Sequence, residues 1–115
     1  MMDRRLVFIC SPFSGGKASQ KENVRYAREA TAFALDSGVY PFTPHLFYPT
    51  FLDDGCSPQR VIGMSAGMGW LRRADMLWVF YDNGVSAGMR EEIAFASNHG
   101  VPIRFVSLNN IEVQP

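Results

Sequence analysis

One carboxylate in the chain stands where it could do chemistry. Glu92 lies four residues after Gly88 and six after Ser86, in the run Ser86-Ala87-Gly88-Met89-Arg90-Glu91-Glu92-Ile93-Ala94-Phe95-Ala96. That run follows a strong strand signal, Met76-Leu77-Trp78-Val79-Phe80-Tyr81, and a turn, Asp82-Asn83-Gly84. It reads as the start of a helix. The Ser86 hydroxyl can take one of the unpaired first-turn N–H groups. Glu91 and Glu92 lie in the opening turns, where the helix dipole favours negative charge. Ile93 and Ala96 are expected to face a sheet, with Ala94 small enough for a close approach. Open α/β sheets bind ligands where such a helix begins, at the carboxyl end of a parallel strand. The Ser86 hydroxyl, Gly88 and the free N–H groups suit an anion such as phosphate. Glu92 then sits about one turn inside, beside that anion. The same residues also make an ordinary capped helix start. The succession of strand, glycine turn, cap, glycine and acid is what raises the functional reading.

Other chemistry-bearing residues fall on loops. Ser11-Pro12-Phe13-Ser14-Gly15-Gly16 leaves an early strand at the same sheet edge, where loops usually carry the site. Ser11 and backbone N–H groups offer hydrogen bonds, and Phe13 offers an aromatic face for a base. Gly15-Gly16-Lys17 is not a phosphate-binding P-loop. Ser11 replaces its leading glycine, and Ala18 replaces the Ser/Thr that would hold magnesium. Thr43 to Pro58 combines three prolines with Phe47, Tyr48, Phe51, His45 and the pair Asp53-Asp54. Such a loop is often plain packing, and His45 is more often a structural hydrogen-bonding residue than a catalyst. On the ligand edge the loop could also form a nucleobase or ribose pocket. Asp82 lies at the right end of its strand to orient substrate and is a second candidate catalytic residue. Asp75 lies at the wrong end and reads as structural. No second His or Cys stands at metal-ligand spacing, so no metal is expected, and no cofactor either.

The elements that must position these residues alternate. Leu6-Val7-Phe8-Ile9-Cys10 is a continuous apolar run, as in a central strand buried on both faces. A helix from Ser19 or Gln20 to about Ser37 carries Val24, Ala27, Ala30, Thr31, Ala34 and Leu35 at amphipathic spacing, and Gly38 stops it. Val39-Tyr40-Pro41-Phe42 is a short strand, and Pro41 puts it at an edge. A second helix runs from Ser57-Pro58 to about Arg73. Its glycines at 63, 67 and 69 cost roughly 1 kcal/mol each against alanine. With Met64 and Met68 they suggest close packing, within the chain or against another subunit. After the Glu92 helix, Gly100 is a stop and Val101 to Val106 a fourth strand. Leu108 to Pro115 reads as a tail, a short edge strand or a partner contact. The strand–helix repeat predicts an α/β, flavodoxin-like or Rossmann-like three-layer fold, a parallel sheet of four to five strands in the order 2-1-3-4.

Composition bounds the function. The 115 residues suit one domain with one core, residues 1–115. Hydrophobic content is 47% and charged content 19%, ordinary for a globular protein. Zero formal net charge argues against broad attraction to nucleic acid or an anionic membrane. The N-terminal residues lack a signal-peptide pattern. Two cysteines, Cys10 and Cys56, are expected as reduced thiols of a cytoplasmic protein.

Ser86-x-Gly88-x-x-x-Glu92-Ile93-Ala94-x-Ala96 resembles the catalytic segment of the nucleoside 2-deoxyribosyltransferase-like superfamily. Phe8 to Gly16 resembles that superfamily's first strand and glycine-containing loop. Pro44-His45-Leu46-Phe47, Phe51-Leu52-Asp53 and Asp75 to Phe80 resemble a small phage and bacterial branch of it. The resemblance runs from about Leu6 to Arg104. It implies that Glu92 is a nucleophile attacking an anomeric carbon. It also implies that Ser11, Pro12, Phe13, His45, Ser86, Gly88 and Met89 contact a nucleoside or nucleotide. The expected activity is an N-glycosidic bond hydrolase or transferase, built as a homo-oligomer with a shared active site.

Three positions depart from the pattern. Deoxyribosyltransferases carry an aspartate six residues before the nucleophile, where Ser86 stands. A serine there resembles the nucleoside monophosphate N-glycosidases, which use it on the 5′-phosphate. Their strand-one tyrosine falls at Phe8, and their helix aspartates fall within Ala66-Gly67-Met68-Gly69-Trp70. Either Asp53 or Asp54 could replace the auxiliary acid. The alternative reading is a non-catalytic nucleotide-binding module of the same fold.

Overall fold

Branched and aromatic residues fill the strands, and each strand ends where polar or glycine-rich sequence begins. A computed structural model describes residues 5–14 and 19–109. In chain order these form β1 (Leu6–Cys10), α1 (Gln20–Asp36), β2 (Tyr40–Phe42), α2 (Ser57–Arg73), β3 (Met76–Phe80), α3 (Ala87–Asn98) and β4 (Ile103–Val106). Two short 3₁₀ turns, Pro44–Leu46 and Tyr48–Thr50, lie between β2 and α2. All strand pairs are parallel, in the order β2-β1-β3-β4. This is the expected flavodoxin-like sheet, with four strands.

Strand alternation divides the core into two faces. Val7, Ile9, Trp78, Phe80 and Val106 point to one side and meet Tyr26, Ala30 and Ala34 of α1. Phe8, Cys10, Leu77 and Val79 point to the other and meet Leu71, Met89 and Ala96 of α2 and α3. The sheet is thus covered on both faces, as parallel sheets require.

Caps set the helix ends. Ser19 opens α1 with a capping box: Glu22 N–H donates to the Ser19 hydroxyl, and Ser19 N–H donates to the Glu22 carboxylate. Gly38 (φ 87°) and Gly100 (φ 73°) follow α1 and α3 in the left-handed region, which only glycine adopts cheaply. The buried stripe of α1 differs from the expected one. Asn23, Tyr26, Ala27, Ala30 and Ala34 face inward, while Val24 is half-buried and Leu35 exposed. Tyr26 can turn in because its hydroxyl pairs with Asp82, and Asn23 because its Nδ2 donates to the Phe13 carbonyl, although its Oδ1 has no partner among the described residues.

Asp75 is structural as expected: its carboxylate accepts the Leu6 N–H at 2.7 Å and ties β1 to the start of β3. The irregular stretch after β2 is fastened by aromatic contacts. The Trp70 ring lies 4.9 Å from Phe42, and its indole N–H donates to the Tyr48 hydroxyl at 2.8 Å. The Gly15-Gly16-Lys17-Ala18 part of the first loop and the tail from Asn110 lie outside the described residues.

Candidate active site

Helix α3 starts as the sequence predicts. The Ser86 hydroxyl accepts the Met89 N–H at 3.3 Å, and the Met89 thioether folds back toward the Ser86 N–H at 3.4 Å. Met89, Glu92 and Ala96 make its buried face. Ile93 is half-buried, and Ala94 is exposed rather than against the sheet. Glu91 points to solvent, while Glu92, one position on, is only 4% exposed. A carboxylate so placed must be neutral, paired or functional.

Burial pushes the Glu92 carboxyl up to about 8; a hydrogen bond from the Cys10 thiol opposes the shift and neighbouring Glu91 adds to it. The buried Oε1 has no partner among the described residues. Glu92 borders a cavity of about 50 Å³, room for a few waters. Phe13, His45, Asp54, Arg60 and Gly67 complete its principal lining. Outside lies a wider recess of about 600 Å³, which shares Phe13, Asp54 and Arg60 with the inner cavity. The recess is within the size range of small-molecule sites, roughly 300–1,000 Å³. A ligand there could send one reactive end inward toward Glu92.

Three of the expected site residues meet on this cavity: Glu92, Phe13 and His45. The Phe13 and His45 rings stack, with centroids 5.1 Å apart and planes 18° apart. Desolvation pushes His45 down to about 4, against the opposing pull of Asp54 and of the Ser11 carbonyl. His45 is therefore a neutral ring at pH 7 and supplies a flat face and one hydrogen bond. Ser11 and Pro12, which precede Phe13 in the chain, are buried and off the cavity wall, and the Ser11 hydroxyl has no partner among the described residues.

Four expected residues stand apart from the cavity. Ser86 spends its hydroxyl on its own helix, and Met89 is buried, so neither side chain lines the cavity wall. Gly88 lies in the first turn, with open space where a Cβ would be. Its N–H and that of Ala87 have no acceptor within the helix. Asp82 faces the α1 side. Its carboxylate accepts hydrogen bonds from the Tyr26 and Ser107 hydroxyls and from the Leu108 N–H. Burial alone would raise its pKa, but these bonds together hold it below the usual carboxylate value. With its oxygens engaged and its side chain across the sheet from Glu92, Asp82 works as a clip between β3, α1 and the segment after β4.

The cavity wall also holds one of the two aspartates offered as the auxiliary acid, and a stripe of α2 that sequence did not place there. Asp54 lines the cavity and accepts from the Ser14 hydroxyl at 2.9 Å. Asp53, by contrast, closes its own turn by accepting the Gly55 N–H. Arg60, Gly63, Met64 and Gly67 form one stripe of α2 along the cavity. The usable signal was their three/four spacing, with glycines leaving the space. Gly67 faces Phe8 and Pro44 of the same chain, so its close packing is internal. Cys10 ends β1, fully buried, with its sulfur 4.0 Å from the Met89 carbonyl oxygen. Among the described residues no three His, Cys, Asp or Glu side chains converge as metal ligands.

Comparison with known proteins bears on fold and family. The structure is similar to a 2-deoxyribosyltransferase from the psychrotolerant bacterium Bacillus psychrosaccharolyticus, with a TM-score of 0.70. The likeness covers 89% of this chain and 72% of that one at 19% identity, and it shows a shared fold. No curated protein matches the sequence. Residues 5–106 match the family described as Domain of unknown function (DUF7768). That span holds every described strand and helix and both walls of the Glu92 cavity, and the chain belongs to the DUF7768 family.

Proposed function

We propose that the protein cleaves or transfers the N-glycosidic bond of a nucleoside or nucleotide, with Glu92 as nucleophile. The observation that carries this reading is a buried carboxylate with one unpartnered oxygen on a cavity at the carboxyl edge of a parallel sheet. The fold shared with a 2-deoxyribosyltransferase supports it.

In this reading the Glu92 carboxylate forms a bond to the anomeric carbon as the carbon–nitrogen bond breaks. The electron pair of that bond leaves with the base, which takes up a proton. Asp54 is the other carboxyl group on the cavity wall, and we assign it to that proton. Water then cleaves the glycosyl ester, or a second base accepts the sugar. Phe13 and His45 supply a flat aromatic wall for base or sugar. Ser11 and the first-turn N–H groups of α3, at Ala87 and Gly88, would bind sugar hydroxyls or phosphate once the ligand opens the site, with Ser86 and Met89 shaping that turn. Because Glu92 ionises only near pH 8, kcat/KM is expected to rise from pH 6 to about pH 8.

Large apolar side chains stand exposed on α2 and just before it: Phe51 (68%), Val61 (66%), Ile62 (57%) and Trp70 (53%). Such a patch fits an interface, and we assign it to a second copy of the chain, which would complete the recess.

The test is a panel of nucleosides and 5′-monophosphates, ribo and deoxy, with and without an acceptor base. Base release or exchange is expected, with Glu92→Gln slower by about a thousandfold or more. Ligand-dependent stabilisation without turnover would favour the binding-only alternative, which gains support from Glu92 being neutral at pH 7 in the empty site. Equal turnover by Glu92→Gln and wild type would sink the nucleophile assignment.

A further inference from the structure

The first turn of α2 brings an amide to the Glu92 cavity and fixes which way round it sits. Gln59 is half-buried and lines the inner cavity with Glu92, Asp54, Phe13 and His45. Asp54 and Arg60 also line the outer recess, but Gln59 lines only the inner space. The Asp53 N–H donates to Gln59 Oε1 at 2.7 Å, and only the oxygen of an amide can accept. Nε2 therefore keeps both its hydrogens free, with no partner among the described residues. The anchor is itself braced. Asp53 accepts the Gly55 N–H on its carboxylate at 2.9 Å and the Cys56 N–H on its carbonyl at 3.0 Å. We propose that Gln59 selects the base: its Nε2 donates to an exocyclic carbonyl oxygen of the nucleobase. The substrate class is then oxo-bases such as uracil or hypoxanthine, not adenine.

Placement and hydrogen-bond chemistry support the assignment. Asp54, assigned above to the proton of the leaving base, follows directly on the residue whose N–H Gln59 holds, and both side chains line the inner cavity. Gln59 thus stands at the base end of the site. A glutamine with both amide groups free reads adenine well, donating to a ring nitrogen and accepting from the amino group. Here the oxygen is spent on the backbone, and donors alone remain. Adenine's amino group is a donor too, so the two edges mismatch. A carbonyl oxygen is an acceptor with two lone pairs and takes the amide hydrogens without conflict. As the electron pair of the carbon–nitrogen bond passes to the base, charge spreads onto that oxygen. The hydrogen bond then strengthens, because charged acceptors make the stronger bonds.

The inference rests on the N-glycosidic reading of the Glu92 site, and its test separates the two. Dissociation constants for the free bases uracil, hypoxanthine and adenine are measured by calorimetry on wild type, Gln59→Glu and Gln59→Met. Turnover of uridine, inosine and adenosine, with their deoxy forms, is measured on the same proteins and on Glu92→Gln. Glutamate keeps an oxygen for the Asp53 N–H but replaces the donor with an acceptor; methionine keeps the length and offers neither. Wild type is expected to bind hypoxanthine or uracil about tenfold or more tighter than adenine. Gln59→Glu is expected to turn the preference toward adenine, and Gln59→Met to abolish it, with kcat/KM ratios following. A preference unchanged in Gln59→Glu, all ligands being weakened alike, would make Gln59 a brace for Asp53 only and overturns the inference. A wild type that prefers adenine, or binds no base, overturns it equally. If Gln59→Glu does not fold, the ratio in Gln59→Met decides in its place. Turnover that is absent, or equal in Glu92→Gln and wild type, sinks the nucleophile reading instead. The binding ratios need no turnover and still decide the role of Gln59.

Discussion

At the scale of single residues, Glu92 gives this protein a cost and a use in one group. Its folded-state pKa of about 8 lies above the usual 4.5, so the folded chain keeps a proton that the unfolded chain releases. The stabilisation is complete below about pH 4.5, shrinks as pH rises through the interval, and is gone above about 8. Each pH unit of displacement is worth about 1.4 kcal/mol, so the effect reaches several kcal/mol. Wild type is expected to lose melting temperature between pH 6 and 9, whereas Glu92→Gln should lose much less and be the more stable protein at pH 9. Thermal scans of both proteins across that range check it; parallel curves would mean that Glu92 is not buried as a neutral acid. Sequence exposed Glu92 because its offset from a capped, glycine-marked helix start is visible in one dimension. It misplaced Asp82 for a reason equally physical. Asp82 follows Trp78 and Phe80 in strand parity, and that parity points to α1. The sequence does not say which face of a doubly covered sheet holds the site. The opposite parity turns Cys10 to the α2–α3 face, 4.0 Å from the Met89 carbonyl, a contact between residues 79 positions apart that no local pattern announces.

At the scale of elements, α2 shows how one pattern can hide two purposes. Its glycines all weaken the helix, yet they differ in surroundings. A Cβ at Gly69 would meet nothing within 4 Å. Gly69→Ala should therefore raise stability by roughly 1 kcal/mol and leave ligand binding unchanged. Gly67 borders the cavity, and a methyl group there would sit about 4 Å from Phe8 and Pro44. Gly67→Ala should fold well, but Gly67→Leu should fill the cavity and abolish turnover. Chemical denaturation paired with the activity assay checks both; an active Gly67→Leu would mean that substrate does not use this cavity. The strands, the helix ends and the caps were readable because apolar runs, Ser19, Ser86, Gly38 and Gly100 act locally. The stripe of α1 was not, since Asn23 and Tyr26 are buried by partners on distant segments, Phe13 and Asp82.

At the scale of the whole molecule, alternating strands and helices sufficed to give the sheet order β2-β1-β3-β4, because right-handed crossovers leave few other arrangements. The mouth of the cavity was harder to read. It is built from the segment between β2 and α2, whose 3₁₀ turns are held by aromatic contacts to Phe42 and Trp70, residues outside the segment. Phe51 in that segment and Val61, Ile62 and Trp70 of α2 stand exposed, and they predict self-association. Sedimentation velocity should show a species larger than one chain, and Ile62→Glu should shift it toward the monomer with loss of turnover. A monomeric, fully active wild type would remove the second copy from the site.

The outer edge of β2 has a separate meaning for the life of this chain in a crowded solution. The Tyr40 N–H is spent on the Arg5 carbonyl, so of the three residues in the strand it is Pro41 whose nitrogen faces outward. Proline has no hydrogen to offer there, and a foreign strand arriving at that border finds no donor to begin a ladder. Beside it lies an apolar recess edged by Tyr40, Phe42 and Trp70, which would otherwise invite runaway fibrillar stacking. One imino acid thus lets the molecule carry a greasy flank and still resist amyloid-like growth from that side.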